Sequence, residues 1–293
     1  MKDKVLKEKF ARIGARIKLP QSVVFDAKSS TLENLRRKDY RRLLHGHGAK
    51  HGRNAFSRFR QPEFSIDVKN DRQGEYFEVF VGDKDRIEIV DVEPKLRQLL
   101  LRVNGNPILA GHDERHLFTC AVPEETTSGG VKKVKQAMVA LQPREVQEAT
   151  KDIRRKNALK RHNRAYKRQG EWFFVPAPDF EPGRLPILKK EPLSRGFGKN
   201  HMTGELCRRG GRDVWVNTRY APQGINEEEY LRHPQRNDTT GSTWRKMKLD
   251  PEAYVRGRVW HPDHKTLVLD GWHRVYLNTE GQAKGSRLIR FLD

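Results

Sequence analysis

Residues 251–280 read PEAYVRGRVWHPDHKTLVLDGWHRVYLNTE, and how they pair decides the fold of the C-terminal half. Apolar and polar side chains alternate through YVRGRVW, KTLVL and WHRVYL, the period-2 pattern of strands buried on one face. Pro262-Asp263 separates the first two runs, and Asp270-Gly271 supplies a two-residue hairpin signal between the second and third. The expectation is a three-stranded antiparallel meander. With Leu269 opposite Trp272 and Trp260 opposite Lys265, parity sorts two faces. One holds Tyr254, Arg256, Arg258, Trp260, Lys265, Leu267, Leu269, Trp272, Arg274 and Tyr276. The other holds Val255, Gly257, Val259, Thr266, Val268, His273, Val275 and Leu277. The second set is small and apolar and suits a core. The first interleaves cations with aromatic rings, the combination that stacks on bases and neutralises phosphates. The plainer alternative is a packing face in which arginine stems cover the aromatics.

The same register separates the histidines. His261, Asp263 and His264 share one turn, whereas His273 falls about five residues, roughly 17 Å, along the sheet. Those three histidines therefore do not meet at one ion. The simpler reading makes His261 and His264 caps of a type I turn, with no metal and no cofactor. The alternative makes His261, Asp263 and His264 half of a catalytic site, completed by His201 or Cys207. Such a site is either metal-bound or a metal-free acid and base pair for RNA cleavage.

Charge points to the partner. The 293 residues carry 59 Lys and Arg against 38 Asp and Glu, a net +21. Counterion release then favours a phosphate-bearing polyanion, nucleic acid above all. The cations are clustered. Nine lie between residues 36 and 60 against one acid, among them Arg36, Arg37, Arg41 and Arg42. Nine more lie between 151 and 168 against Asp152 alone: Lys151, Arg154, Arg155, Lys156, Lys160, Arg161, Arg164, Lys167 and Arg168. These two clusters and the residues Tyr254, Arg256, Arg258, Trp260, Trp272, Arg274 and Tyr276 form three candidate nucleic-acid surfaces. The aromatics favour RNA or single strands over duplex. Within the first cluster, His45, His47 and His51 of HGHGAKHGR lack the Asp of a metal-hydrolase HxHxDH motif. They read as a phosphate-contacting loop.

The chain divides into a basic arm (1–62), an α+β domain (63–142), a basic linker helix (143–169) and a β-rich domain (170–293) holding the meander. The fold class is α+β. Residues 63–142 read β-β-β-α-β-α, with a helix over 93–103 stopped by Asn104-Gly105 and a second bearing Val131, Val134, Met138 and Leu141 on one face. The first twenty residues form an amphipathic helix through Val5, Leu6, Phe10, Ile13 and Ile17, expected to dock on the protein's own body or on a polyanion. RGFGKNHMTGELCRRGGRD (195–213) reads as a glycine-rich basic loop that fails the phosphate-loop pattern. Cys120 and Cys207 are too far apart in sequence for a metal knuckle and read as reduced core thiols of a cytoplasmic protein. No apolar run suits a signal peptide or a membrane span, so no membrane is expected. Other subunits of a ribonucleoprotein assembly are a further class of partner.

Overall fold

The computed structural model describes residues 2–19, 64–82, 84–123, 130–193, 199–238 and 243–282. The cluster at 36–60, with Arg36, Arg37, Arg41, Arg42 and its three histidines, lies outside the described residues.

The first half stacks two small sheets and two helices. In α1 (Lys2–Arg12), Leu6 and Phe10 lie one turn apart and, with Ile13 just beyond the helix, are buried. Phe10 meets Phe77 edge to face at a centroid distance of 5.2 Å. The chain continues into β1 (Ile17–Lys18), which runs parallel to β3 (Gly74–Phe80); β3 pairs antiparallel with β2 (Ser65–Asp71). The apolar stripe of α1 thus docks on the protein's own body, with Leu6, Phe10 and Ile13 against this sheet and Val5 left exposed. Asp71 clamps the join, accepting from Arg16 Nη2 at 2.7 Å and Lys18 Nζ at 2.8 Å. Those two cations hold its carboxyl far below the usual carboxylate range. A carboxyl depressed on folding adds stability above its unfolded pKa of about 3.9 and loses it as pH falls toward the folded value. The stability gap between wild type and Asp71→Asn should therefore be widest at neutral pH and shrink below about pH 4. Urea unfolding at a series of pH values checks this; a gap of constant size would contradict it.

The second sheet has the order β4 (Ile87–Glu93), β5 (Gln98–Val103), β6 (Asn106–Asp113), β7 (His116–Ala121), all antiparallel. Here the expected helix over 93–103 is corrected. Pro94 opens a single 3-10 turn (Pro94–Leu96), Arg97 ends it at φ 55°, and the chain becomes β5. Leu99 and Leu101 pack toward α1 and β3, whereas Leu100 packs toward α2 (Val134–Ala140). A run covered on both faces has no alternation, so periodicity cannot separate it from a buried helix. Asn104 and Gly105, at φ 50° and 88°, form the hairpin turn between β5 and β6 rather than a helix stop. Val131, Val134 and Leu141 are buried beside α2, with Met138 against them.

The continuous helix expected over 143–169 is also corrected. The structure has α3 (Arg144–Ala149), the single turn α4 (Arg155–Ala158) and the short strand β8 (Lys167–Gln169). Cations stacked at helical spacing repel one another, and the segment bends at side-chain turns instead. Thr150 Oγ1 donates to the Gln147 carbonyl at 2.9 Å, and Asn163 Oδ1 accepts from the Ala165 and Tyr166 amides at 2.8 and 3.0 Å. Tyr166, 1% exposed, anchors the stretch through a 2.8 Å hydroxyl bond to the Ala158 carbonyl.

In the second half, β9 (Trp172–Pro176), β10 (Ile187–Lys189), β11 (Pro192–Leu193) and β12 (His201–Arg209) join β16 (Glu252–His261) and β17 (His264–Leu277) in a seven-stranded sheet. Its order is β10-β12-β16-β17-β9-β8, with β11 beside β12. A separate sheet is built from β13 (Arg212–Asn217), β14 (Ala221–Ile225) and β15 (Arg245–Leu249), with α5 (Glu227–Arg232) capped by Asn226. Of 195–213, expected as a loop, residues 195–198 lie outside the described residues and 201–209 form β12. Gly204 sits at a register shift that breaks its alternation, and a Cβ there would lie 3.1 Å from the Arg258 amide.

The meander has two strands, not three. The HPDH turn forms and pairs His261 with His264. Asp270-Gly271 does not turn: β17 runs straight through it, and Asp270, Gly271 and Trp272 bulge out opposite Arg256 alone. Pairing of His273 to Leu277 with β9 holds the strand straight and overrides the local signal. A second shift sets Lys265 and Thr266 against Trp260 alone, and a one-residue slip exchanges faces. Leu267 and Leu269 are therefore in the core with Val255 and Val259, while Val268 is 54% exposed. His273 is buried at 6%, on the core face as expected.

The chain is a sheet-rich mixed α+β protein with several antiparallel sheets. No helix among the described residues is long and apolar enough to cross a membrane.

Candidate functional site

Three hairpin turns converge on one point: β6–β7 at 113–116, β8–β9 at 169–172 and β16–β17 at 261–264. The first residue of β12 completes it. Met202 pairs with Trp260, so His201 falls beside His261, which itself pairs with His264. Directly opposed residues of adjacent strands project to the same face. The three rings follow: His201 and His261 stack at 4.4 Å, His261 and His264 lie 4.9 Å apart, and His201 and His264 5.4 Å. One nitrogen from each ring lies within 4.8 Å of those of the other two.

The surroundings hold the cluster in shape. His201 is 1% exposed, with Trp172 edge-on at 6.3 Å. Gly170, at φ 57°, brings bare backbone against two of the rings: a Cβ there would lie 3.0 Å from His264 Nε2 and 3.3 Å from His201 Nε2. His264 Nδ1 lies 3.3 Å from Glu114 Oε2 in the turn of the other half. That carboxylate also accepts from Arg161 at 2.6 Å. His261 Nδ1 accepts from the Asp263 amide at 3.1 Å, so His261 does cap the turn, and its Nε2 meets the Lys199 carbonyl at 3.2 Å. Burial, and then the neighbouring His264, lower the pKa of His261. Its ring is therefore neutral at pH 7. Asp263 turns outward to Lys199 Nζ at 2.9 Å, which lowers its pKa, and it is not one of the grouped ligands. Of the two residues proposed to join His261 and His264, His201 lies against their rings. Cys207 instead packs with Phe180 and Tyr254. His273 lies elsewhere in the sheet, opposite Val255 rather than Val268, so it is apart from the cluster as expected but by a different register.

The basic segment runs up to this cluster. Arg161 bonds Asp113 and Glu114, and Arg168 reaches Asp113 at 3.3 Å and the Gly170 carbonyl at 2.7 Å. Lys167 donates to the Val268 carbonyl and Arg164 to that of Asp152, each at 2.8 Å. Arg155 opens α4. Lys151, Arg154, Lys156 and Lys160 are exposed and make no ion pair among the described residues.

Among the aromatic and basic residues of the sheet face only Tyr254 is buried, and two of the arginines are paired with carboxylates. Tyr254, 4% exposed, stacks on Phe180 at 3.6 Å. Arg256 pairs with Glu205 at 2.6 Å and lies 4.8 Å over Trp272. Arg274 pairs with Glu252 at 2.8 Å and lies 5.0 Å over Tyr276. Arg258 is exposed and Trp260 half-buried. A second aromatic group was not legible beforehand. Trp215 stacks on Tyr230 at 4.1 Å, and Trp244 meets Tyr230 at 5.2 Å, all three half-buried. The WVNTRY and TWRKMK runs, each an aromatic beside cations, were the available signal.

Compared with protein families, with curated proteins and with solved structures, the chain matches none.

Proposed function

We propose that the protein binds nucleic acid, RNA or another single strand in preference to duplex. One observation carries the reading: in a chain of net charge +21, Lys151, Arg154, Lys156 and Lys160 stand exposed together with no carboxylate partner among the described residues. Uncompensated cations in one short segment are the electrostatic footprint of a phosphate backbone. Their neighbours Arg161 and Arg168 are tied to Asp113 and so hold the segment in place. Half-buried Trp215, Tyr230 and Trp244 add rings on which unpaired bases stack, a contact open to single strands.

A processing enzyme is the second reading, favoured by the arrival of His201 against His261 and His264. In it the basic segment presents the backbone and the histidines, with Asp263 at the turn, act on a phosphodiester.

Fluorescence anisotropy with labelled single-stranded RNA, single-stranded DNA and duplex tests the first reading. With about 6–10 phosphates of a single strand contacted, affinity should fall roughly 10²–10⁴-fold between 50 and 200 mM salt. An affinity indifferent to salt would overturn it. Gel analysis of the same RNA separates the readings: intact RNA supports a binder, and cleavage lost in His264→Ala supports the enzyme.

A further inference from the structure

We infer that His201, His261 and His264 hold a divalent transition-metal ion of the zinc class. The inference needs no bound nucleic acid and stands or falls separately from the proposed function.

The ligand set comes first. Three imidazole nitrogens within 4.8 Å of one another, with no carboxylate among them, suit zinc, cobalt, nickel or copper. Calcium and magnesium want oxygen ligands, which the cluster lacks. A tetrahedral ion with Zn–N of about 2.0–2.1 Å sets its nitrogens roughly 3.3 Å apart. The rings must close by about an ångström and a half, a movement within the reach of small side-chain rotations. Their strand positions already give the convergence, since the three occupy directly opposed places at the ends of β12, β16 and β17.

Two further observations point inward. Gly170 faces Nε2 of both His264 and His201, so these two atoms border the same small space beside a backbone with no side chain. Glu114 lies against the opposite nitrogen of His264 at 3.3 Å. A carboxylate at Nδ1 fixes the tautomer with its proton on Nδ1 and leaves the Nε2 lone pair for a metal. Arg161, donating to Glu114 at 2.6 Å, in turn holds that carboxylate in place. On His261 an ion at Nε2 displaces the 3.2 Å contact to the Lys199 carbonyl and moves the ring proton to Nδ1, so the 3.1 Å bond from the Asp263 amide is given up as well. Three protein ligands leave a fourth position open, as in catalytic rather than structural zinc sites. A phosphate oxygen or a water is the kind of group that fits it. Under the processing reading this would be the site's electrophile.

The test uses the full-length protein, stripped with chelator and titrated with Co²⁺ in the absence of nucleic acid. The visible d–d band and calorimetry are read together. The expected result is one ion per chain with a low-symmetry, four- or five-coordinate band. His261→Gln and His264→Gln should each weaken binding at least 100-fold while circular dichroism stays native. Glu114→Gln keeps all three ligands and should weaken binding about 10–100-fold, the usual cost of losing a carboxylate behind a ligating histidine. Replacing His45, His47 and His51 together by Gln should leave the ion in place. The inference is overturned if the wild type shows no band, if His264→Gln binds as tightly as wild type, or if binding disappears with the three N-terminal histidines. Anisotropy repeated in chelator keeps the two claims apart, because salt-sensitive nucleic-acid binding should survive there.

Discussion

Replacing Lys151, Arg154, Lys156 and Lys160 together by Gln should reduce affinity for single-stranded RNA by about a hundredfold or more near 0.1 M salt. The size follows from counterion release. Each phosphate neutralised on a single strand contributes roughly 0.7 to the slope of log K against log salt, so four lost contacts remove a slope of about 3. At 0.1 M that slope corresponds to nearly three decades of affinity. The four side chains are exposed and unpaired with any carboxylate among the described residues, so folding stability should scarcely change. Anisotropy at several salt concentrations gives both affinity and slope. A variant with the slope of the wild type would show that phosphates are not bound at this segment.

The second large effect falls on the core. Trp172→Ala should destabilise the protein by about 3–5 kcal/mol. The indole is 2% exposed among Phe174, Leu206, Val255, Val259 and Leu267, and little around it is free to fill the space. Trp244, half-buried at the edge of the other sheet, is the comparison; its replacement by alanine should cost much less. Urea unfolding followed by circular dichroism measures both. A loss below about 1 kcal/mol for Trp172→Ala would mean that the sheet does not pack as described. Because Trp172 lies edge-on to His201, the variant should also loosen the histidine cluster.

Much of the strand content was legible because alternation is a local property. β2, β3 and β4 carry it, whereas β7, β9 and β13 were readable as short apolar runs between breakers, and the stripe of α1 as a pattern at helical spacing. What was hidden depended on partners distant in the chain. β5 has no alternation because α1 and α2 cover it from both sides, and β12 loses its alternation at Gly204. The faces of the β16–β17 hairpin could not be assigned correctly because two irregularities, invisible in composition, shift the register. The candidate site divides in the same way. His261, Asp263 and His264 are neighbours in sequence and could be grouped by inspection. His201 could be named only as one of two possible partners, since its place depends on β12 lying beside β16. Glu114 and Gly170 could not be found at all, because turns in two other hairpins bring them there.

That last arrangement has a consequence for folding. The cluster draws on Glu114, Gly170, His201 and the turn at 261–264, segments separated by tens of residues to about 150 along the chain. No local element contains it, and closing such long loops costs entropy that is recovered only once both halves have formed. The last contacts to assemble should be those between the turns of the two halves. A completed histidine cluster therefore serves as a record that the turns of both halves have come together, not just the sheet that carries the rings.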